Sequence, residues 1–328
     1  MILKIHKINH SLDGEDSIPL LNAHTSDFIR DFYTTANTRF DIESDAKQVL
    51  ICSQPRSAST FLSNVLRQAL SYTTVHFGEQ VQMGQLAAKL GITPPEGENT
   101  GFIAPNHQLY MPMVLGISAT NCNNISHHHL IANLHTLWQM TLTDNFIPIV
   151  TTRNIADSLV SIRDSLVKHS PDTITDYMAQ FTLSGIDFMW RYRSGDMIKK
   201  FLEGDESYRL DMLIDLLAPW FFDYLLSWHN LARKKIIDIR FVDYEQITRQ
   251  DFQTVRSLIT HIGAEATDDQ IHSAIRSIKG DRQKSEFNVG KTGRGKDQLS
   301  RDQHKRLRQI GSYYADDETV HRFTYAPE

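Results

Sequence analysis

The stretch that most constrains this chain is residues 48–70, QVLICSQPRSASTFLSNVLRQAL. Val49-Leu50-Ile51-Cys52 is a short apolar run rich in β-branched residues and reads as a buried strand. Pro55 to Thr60 make a polar turn, after which Phe61, Leu62, Val65, Leu66, Ala69 and Leu70 recur at helical spacing. A strand, a tight turn and a helix start aim several backbone N–H groups and the positive helix end at one point, which makes an anion site. Ser57, Ser59 and Thr60 add hydroxyl donors, and Arg56 adds a planar cation suited to phosphate. The plainer alternative is a strand–helix junction with a Ser/Thr cap.

A second unit of the same kind follows about 100 residues later, FIPIVTTRNIADSLVSIRD from residue 146. Ile147, Ile149 and Val150 form a strand, in which Pro148 is tolerated where its missing N–H faces an edge or bulge. Thr151 to Asn154 form the turn, and Ile155 to Lys168 read as a helix with Ile155, Leu159, Ile162 and Leu166 on one face. Between the two units, Thr73–Phe77 reads as a strand ending at Gly78-Glu79, with a helical stretch to about Leu90 and a breaker-rich loop at 93–101. Residues 125–143 join a histidine triplet to a helix carrying Leu130, Leu134, Leu137 and Trp138. Later helices are expected over Asp172–Tyr192 and Tyr208–Arg233, a strand over Ile236–Val242, and helices over 250–262, 267–279 and 299–315. The arm 1–46 has little periodicity beyond a short helix at Asp27–Tyr33, and it is expected to pack on the domain. The fold class is therefore α/β, a single domain with a mainly parallel central sheet and helices on both faces, with a helical insertion at about 172–235.

Composition narrows the function. The chain has 328 residues, 41% of them hydrophobic and 22% charged, as in an ordinary globule with a sizeable core. A net charge of −5 gives no bulk basic field, so nucleic acid is not the expected partner and an anionic cofactor needs local cations. Cys52 and Cys122 form no metal or framework pattern. MILKIHKINH lacks a secretory apolar core and no stretch is long enough to span a bilayer, so a cytoplasmic location is expected. Three consecutive histidines diverge, and no cysteine or carboxylate completes a zinc spacing around them.

The turn is not a Walker A loop, which needs G-x-x-x-x-G-K-[ST]. Pro55-Arg56-Ser57-Ala58-Ser59-Thr60 instead resembles the 5′-phosphosulfate loop of the sulfotransferases, with Ala58 where that family has glycine. The second unit resembles the family's 3′-phosphate element: Arg153-Asn154 match, Ile155 replaces a proline, Asp157 sits at the usual Asp, and Ser161 falls eight residues after the arginine. The resemblance, which spans about residues 47–297, implies a sulfotransferase domain over 47–328 using 3′-phosphoadenosine 5′-phosphosulfate (PAPS), with 3′-phosphoadenosine 5′-phosphate (PAP) as product and no metal. Arg56, Ser57, Ala58, Ser59 and Thr60 would hold the 5′ end, Arg153 and Ser161 the 3′-phosphate, and Phe61 or Tyr244 the adenine. A Gly-x-x-Gly loop would close over the nucleotide at Gly290 and Gly293, with Lys291, Arg294 and Lys296 as its cations.

The acceptor would be a small molecule or carbohydrate carrying a hydroxyl or amine. Two bases stay open. Glu79 follows a strand beside the anion turn, as a catalytic glutamate does in tyrosylprotein and carbohydrate sulfotransferases. His129 lies 24 residues before Arg153 and His128 25 before it, near where cytosolic sulfotransferases carry a catalytic histidine, and His107 is a further candidate. A kinase or nucleotide hydrolase and an inactive nucleotide-binding protein are the competing functions. The aromatics of 213–228 read as core, with an acceptor pocket or a homodimer face as the alternative.

Overall fold

The computed structural model describes residues 3–7, 38–42, 45–75, 122–141, 146–169, 171, 174, 197–235, 237–281 and 291–324. In chain order β1 (Leu3–Lys7) and β2 (Thr38–Ile42) are followed by β3 (Gln48–Ser53), α1 (Ser59–Leu70), β4 (Thr73–Thr74), β5 (Asn124–His128), α2 (Leu134–Thr141), β6 (Phe146–Thr152) and α3 (Ile155–Leu166). Then come α4 (Met197–Glu203), α5 (Glu206–Lys234), β7 (Arg240–Asp243), α6 (Tyr244–Arg249) and α7 (Asp251–Ile262). The chain continues with α8 (Asp268–Gly280), α9 (Arg294–Gln298), α10 (Arg301–Gly311) and α11 (Asp317–Thr324). Glu79, His107, Gly290, the helix expected at Asp27–Tyr33, the loop 93–101 and most of the helix expected over Asp172–Tyr192 lie outside the described residues.

β1 and β2 pair antiparallel, Leu3 opposite Ile42, a pairing the weak periodicity of the arm does not reveal. The other strands form one parallel sheet in the order β4-β5-β3-β6-β7. Alternation along β3 sends Val49 and Ile51 to one face and Leu50 and Cys52 to the other. On the first face they meet α1, α7 and α8 through Phe61, Val65, Ile259 and Ile275. On the second they meet α3, α5, α10 and α11 through Leu159, Leu217, Trp228, Leu307 and Phe323. After β3 the chain fills one side of the sheet with β4 and β5, then crosses to place β6 and β7 on the other. The crevice between the carboxyl ends of β3 and β6 is thus the point where strand order reverses, and open α/β sheets bind ligands there.

Three strands of the parallel sheet depart from the sequence expectation, the first being β4, which covers only Thr73–Thr74 and leaves Val75 outside it. β5 runs through the histidine triplet, and its buried positions Asn124, Ser126 and His128 are polar, so it lacks the apolar run of an ordinary interior strand. β7 covers Arg240–Asp243 instead of Ile236–Val242. Pro148 explains the late start. The backbone N–H of Gln54 donates to Thr151 O at 3.1 Å, so Thr151 faces β3 and Pro148, three residues earlier, faces β7. With no N–H to offer on that side, Pro148 ends the ladder, which begins at Ile149 opposite Arg240.

The aromatic stripe of α5 is core. Trp220, Phe221, Tyr224 and Trp228 are buried, and the Trp228 indole N–H donates to Leu130 O at 2.7 Å. The Tyr224 hydroxyl lies 2.6 Å from Cys52 O and 3.1 Å from Thr151 O, bridging the ends of β3 and β6 behind the switch point. Burial pushes the Tyr224 phenol pKa well up, which keeps it a donor at any physiological pH. Tyr224→Phe removes the only proton shared by these two carbonyls from that ring. It is expected to lower stability by about 1–2 kcal/mol, read as a lower urea midpoint at unchanged slope.

Candidate functional site

The first turn is built on left-handed backbone. Arg56 has φ 66° and Ala58 φ 63° with ψ 22°. Alanine therefore stands in a left-handed conformation that glycine adopts freely, at a cost of about 1 kcal/mol. Ala58 is also the N-cap of α1 and supplies no side-chain cap, and the first turn of α1 holds no acidic residue. The positive end of this helix thus has no carboxylate of its own first turn beside it. Ser59 is buried and Thr60 half-buried at its start.

Ser57 and Phe61 stand elsewhere than the turn's mouth. The Ser57 hydroxyl is fully buried, donating to Gln54 O at 2.6 Å and lying 2.7 Å from Thr151 Oγ1, so it knits the two turns together. Phe61 is fully buried among Val49, Ile51 and Leu62.

The second turn closes on the first. Arg153 donates through Nη1 to Arg56 O at 2.9 Å and through Nη2 to Lys291 O at 3.0 Å, with its guanidinium carbon 3.9 Å from the centre of the Tyr244 ring. Arg56 Nε in turn donates to Ser161 Oγ at 3.2 Å. Arg56, Arg153, Ser161 and Tyr244 thus form one cluster. Arg153 Nε is buried with no hydrogen-bond partner among the described residues. Burial is the main influence lowering the Arg153 pKa, and the nearby Arg56 charge lowers it further, against Tyr244, Asp157 and Glu245. Two close guanidinium groups and an orphaned buried donor are the features that an added anion relieves.

Gln54, which the sequence reading passes over, sits between the turns. Its Nε2 donates to Arg153 O at 2.6 Å and to Ser158 Oγ at 3.0 Å, and its Oε1 accepts from Arg153 N at 2.9 Å. No sequence pattern announces it, since its partners lie 99 and 104 residues away.

Asp157 holds the third segment. Its carboxylate accepts from Gly293 N at 2.7 Å and Gly295 N at 2.6 Å, so the start of α9 lies across the first turn of α3. Arg294 pairs with Asp164, and Arg249 Nη2 donates to Thr292 Oγ1 at 2.8 Å. Among the expected loop cations, Lys291 and Lys296 are exposed while Arg294 is committed to α3.

Beside the turn, at the end of β5, strand alternation places His127 and His129 on one side, not in diverging directions. Their rings meet edge to face at 5.6 Å, and both reach the Ser53 hydroxyl, at 2.8 Å from His127 Nε2 and 2.9 Å from His129 Nδ1. His128 points to the other face and is buried. His129 Nδ1 is also 2.8 Å from Ser53 O. A carbonyl only accepts, so Nδ1 carries the proton and Nε2 the lone pair. Loss of water around the ring lowers the His129 pKa to about 4, against a smaller opposing pull from the Ser53 carbonyl. The imidazole is neutral near pH 7. Among the described residues no group of three His, Cys, Asp or Glu side chains could hold a metal ion, and no helix is long and apolar enough to cross a membrane.

The sequence matches the model of the sulfotransferase domain over residues 46–316, and the chain belongs to that family. Its chemistry is accordingly sulfuryl transfer. Among solved structures it is similar to mouse sulfotransferase SULT7A1 complexed with PAP, with 13% identity over 84% of this chain and 86% of that one and a TM-score of 0.50. Retinol dehydratase in complex with androsterone and the inactive cofactor PAP is 14% identical, covering 86% of this chain and 82% of that one with a TM-score of 0.42. A sulfotransferase from Alicyclobacillus acidocaldarius is 12% identical, covering 84% and 97% with a TM-score of 0.40. No curated protein sequence matches significantly. The similarity to the mouse enzyme is one of fold.

Proposed function

We propose that this protein moves a sulfuryl group from PAPS to a hydroxyl or amine of a small-molecule or carbohydrate acceptor. The observation that carries the reading is the convergence of Arg56, Arg153 and Ser161 at the switch point, with one buried guanidinium N–H lacking a partner among the described residues. The proposed domain runs over 47–328, with 1–46 as an arm and about 172–235 as a helical insertion. When bound, the donor supplies a sulfuryl group already attached to a phosphate leaving group. Arg56, the hydroxyls of Ser59 and Thr60 and the start of α1 then hold the 5′ end and stabilise the charge that grows on that phosphate. Arg153 and Ser161 hold the 3′-phosphate, and Tyr244 flanks the adenine. Gly290, Lys291 and Gly293 close the segment over the nucleotide. Ser57, Ala58, Phe61 and Arg294 act through the shape of the turn, the core and α9.

His129 is the proposed acceptor base, because its Nδ1 proton is fixed on Ser53 O and its Nε2 lone pair can take a proton. Glu79 is the rival. Calorimetry should find metal-independent PAP binding with no comparable binding of ATP–Mg, and radiolabelled sulfate should appear on a hydroxyl acceptor. Binding of ATP–Mg alone would return the chain to the kinase reading. His129→Ala is expected to cut turnover at least about a hundredfold at unchanged PAP affinity, while Glu79→Gln changes it little. The acid limb of kcat/KM reports the free enzyme and should fall near pH 4, where His129 gains its proton. The limb of kcat should lie higher, since bound anionic phosphates favour the imidazolium. The reverse pattern of mutant effects gives the role to Glu79.

A further inference from the structure

We infer that Gln54 is a positioning residue that sets the spacing of the two phosphate turns, and through it the ability of this site to select a 3′-phosphorylated nucleotide. The inference rests on the nucleotide reading above. β3 and β6 pair in register as far as Ser53 opposite Thr151. One residue on, the strands must part so that each can enter its own turn. Gln54 bridges that parting with its side chain. Its amide takes both backbone groups of Arg153, accepting from the N–H at 2.9 Å and donating to the C=O at 2.6 Å, as a peptide unit of a neighbouring strand would.

Both sides of the Arg153 Cα are thereby fixed, and the guanidinium starts from a defined point. The second amide proton reaches Ser158 Oγ at 3.0 Å, which ties the same carboxamide to the first turn of α3. The Gln54 backbone is held as well, by its own N–H on Thr151 O and by the Ser57 hydroxyl on its C=O. Gln54 is fully buried, and a carboxamide is the side chain that offers an acceptor and two donors without charge. Among the proposed phosphate ligands its carboxamide bonds Arg153 alone. Hence its loss should fall on the 3′-phosphate and spare the 5′ end.

The test compares PAP with 5′-AMP, which lacks the 3′-phosphate, on the full chain by calorimetry. Gln54→Leu keeps volume and removes the bonds; it should weaken PAP by roughly tenfold or more while 5′-AMP changes less than about twofold. Gln54→Glu keeps the acceptor and loses the donors at neutral pH. Its affinity for PAP, taken as a ratio to the unmodified protein at each pH, should recover as acid protonates the new carboxyl and restores an O–H toward Arg153 O. Equal loss of both nucleotides, no loss of either, a ratio flat with pH, or failure of both variants to fold would each overturn the inference. If the unmodified protein binds no PAP, the nucleotide reading itself fails, a result distinct from all of these.

Discussion

Replacing Arg153 by alanine is expected to weaken PAP binding by about a hundredfold to a thousandfold and to erase its advantage over 5′-AMP. Three contacts define what is lost. The guanidinium spans Arg56 O and Lys291 O, stacks on Tyr244, and keeps Nε inside the protein with no partner among the described residues. A buried guanidinium facing a phosphate dianion contributes on the order of 3–4 kcal/mol to affinity, because water competes poorly there. Arg153→Lys keeps the charge but cannot fork to two carbonyls while stacking, so an intermediate affinity is expected. Calorimetry with both nucleotides decides it. Unchanged PAP affinity in Arg153→Ala would remove the 3′-phosphate role.

Gly295→Ala is the second large effect. A Cβ at this position would stand 2.5 Å from Ala156 Cβ, 2.6 Å from Ala156 C and 2.7 Å from Asp157 N. Two of those three atoms are backbone of the first turn of α3, which cannot rotate aside. The segment must lift, stretching the Gly293 and Gly295 N–H bonds to the buried Asp157 carboxylate. Overpacking of this kind costs about 1–3 kcal/mol, and each weakened bond to a buried charge adds about 1 kcal/mol or more. A thermal midpoint several degrees lower is expected together with a loss of PAP affinity, since Lys291 O no longer meets Arg153. Asp157→Asn gives a milder version, because an amide oxygen still accepts one of the two bonds.

Much of this arrangement is written locally in the chain. β3–α1 and β6–α3 announce themselves because an apolar run gives way to helical spacing across a polar turn, and their order alone places Arg56 and Arg153 on one edge of a parallel sheet. The fold class follows from those two units. β5 is hidden because Asn124, Ser126 and His128 occupy interior positions with polar side chains. β7 is overextended because Ile236–Ile239 look like a strand, while the limit is set by Pro148 on a neighbour. Within the candidate site, the charged and hydroxyl side chains that the structure brings together could be read from the turns. Gln54 and Tyr224 could not, since their roles are bonds to backbone atoms far along the chain. The alanine in place of glycine at 58 was visible, but only the backbone shows that its conformation is left-handed.

The contacts that join the two turns to the segment before α9 link residues far apart in the chain: Arg153 with Arg56 across 97 positions, Arg153 with Lys291 across 138, and Asp157 with Gly295 across 138. The set therefore cannot close until the segment carrying Gly295 has been made. Contacts of such separation close late and slowly. A nucleotide held as proposed therefore cannot template early folding, and its binding would report that tertiary assembly is complete.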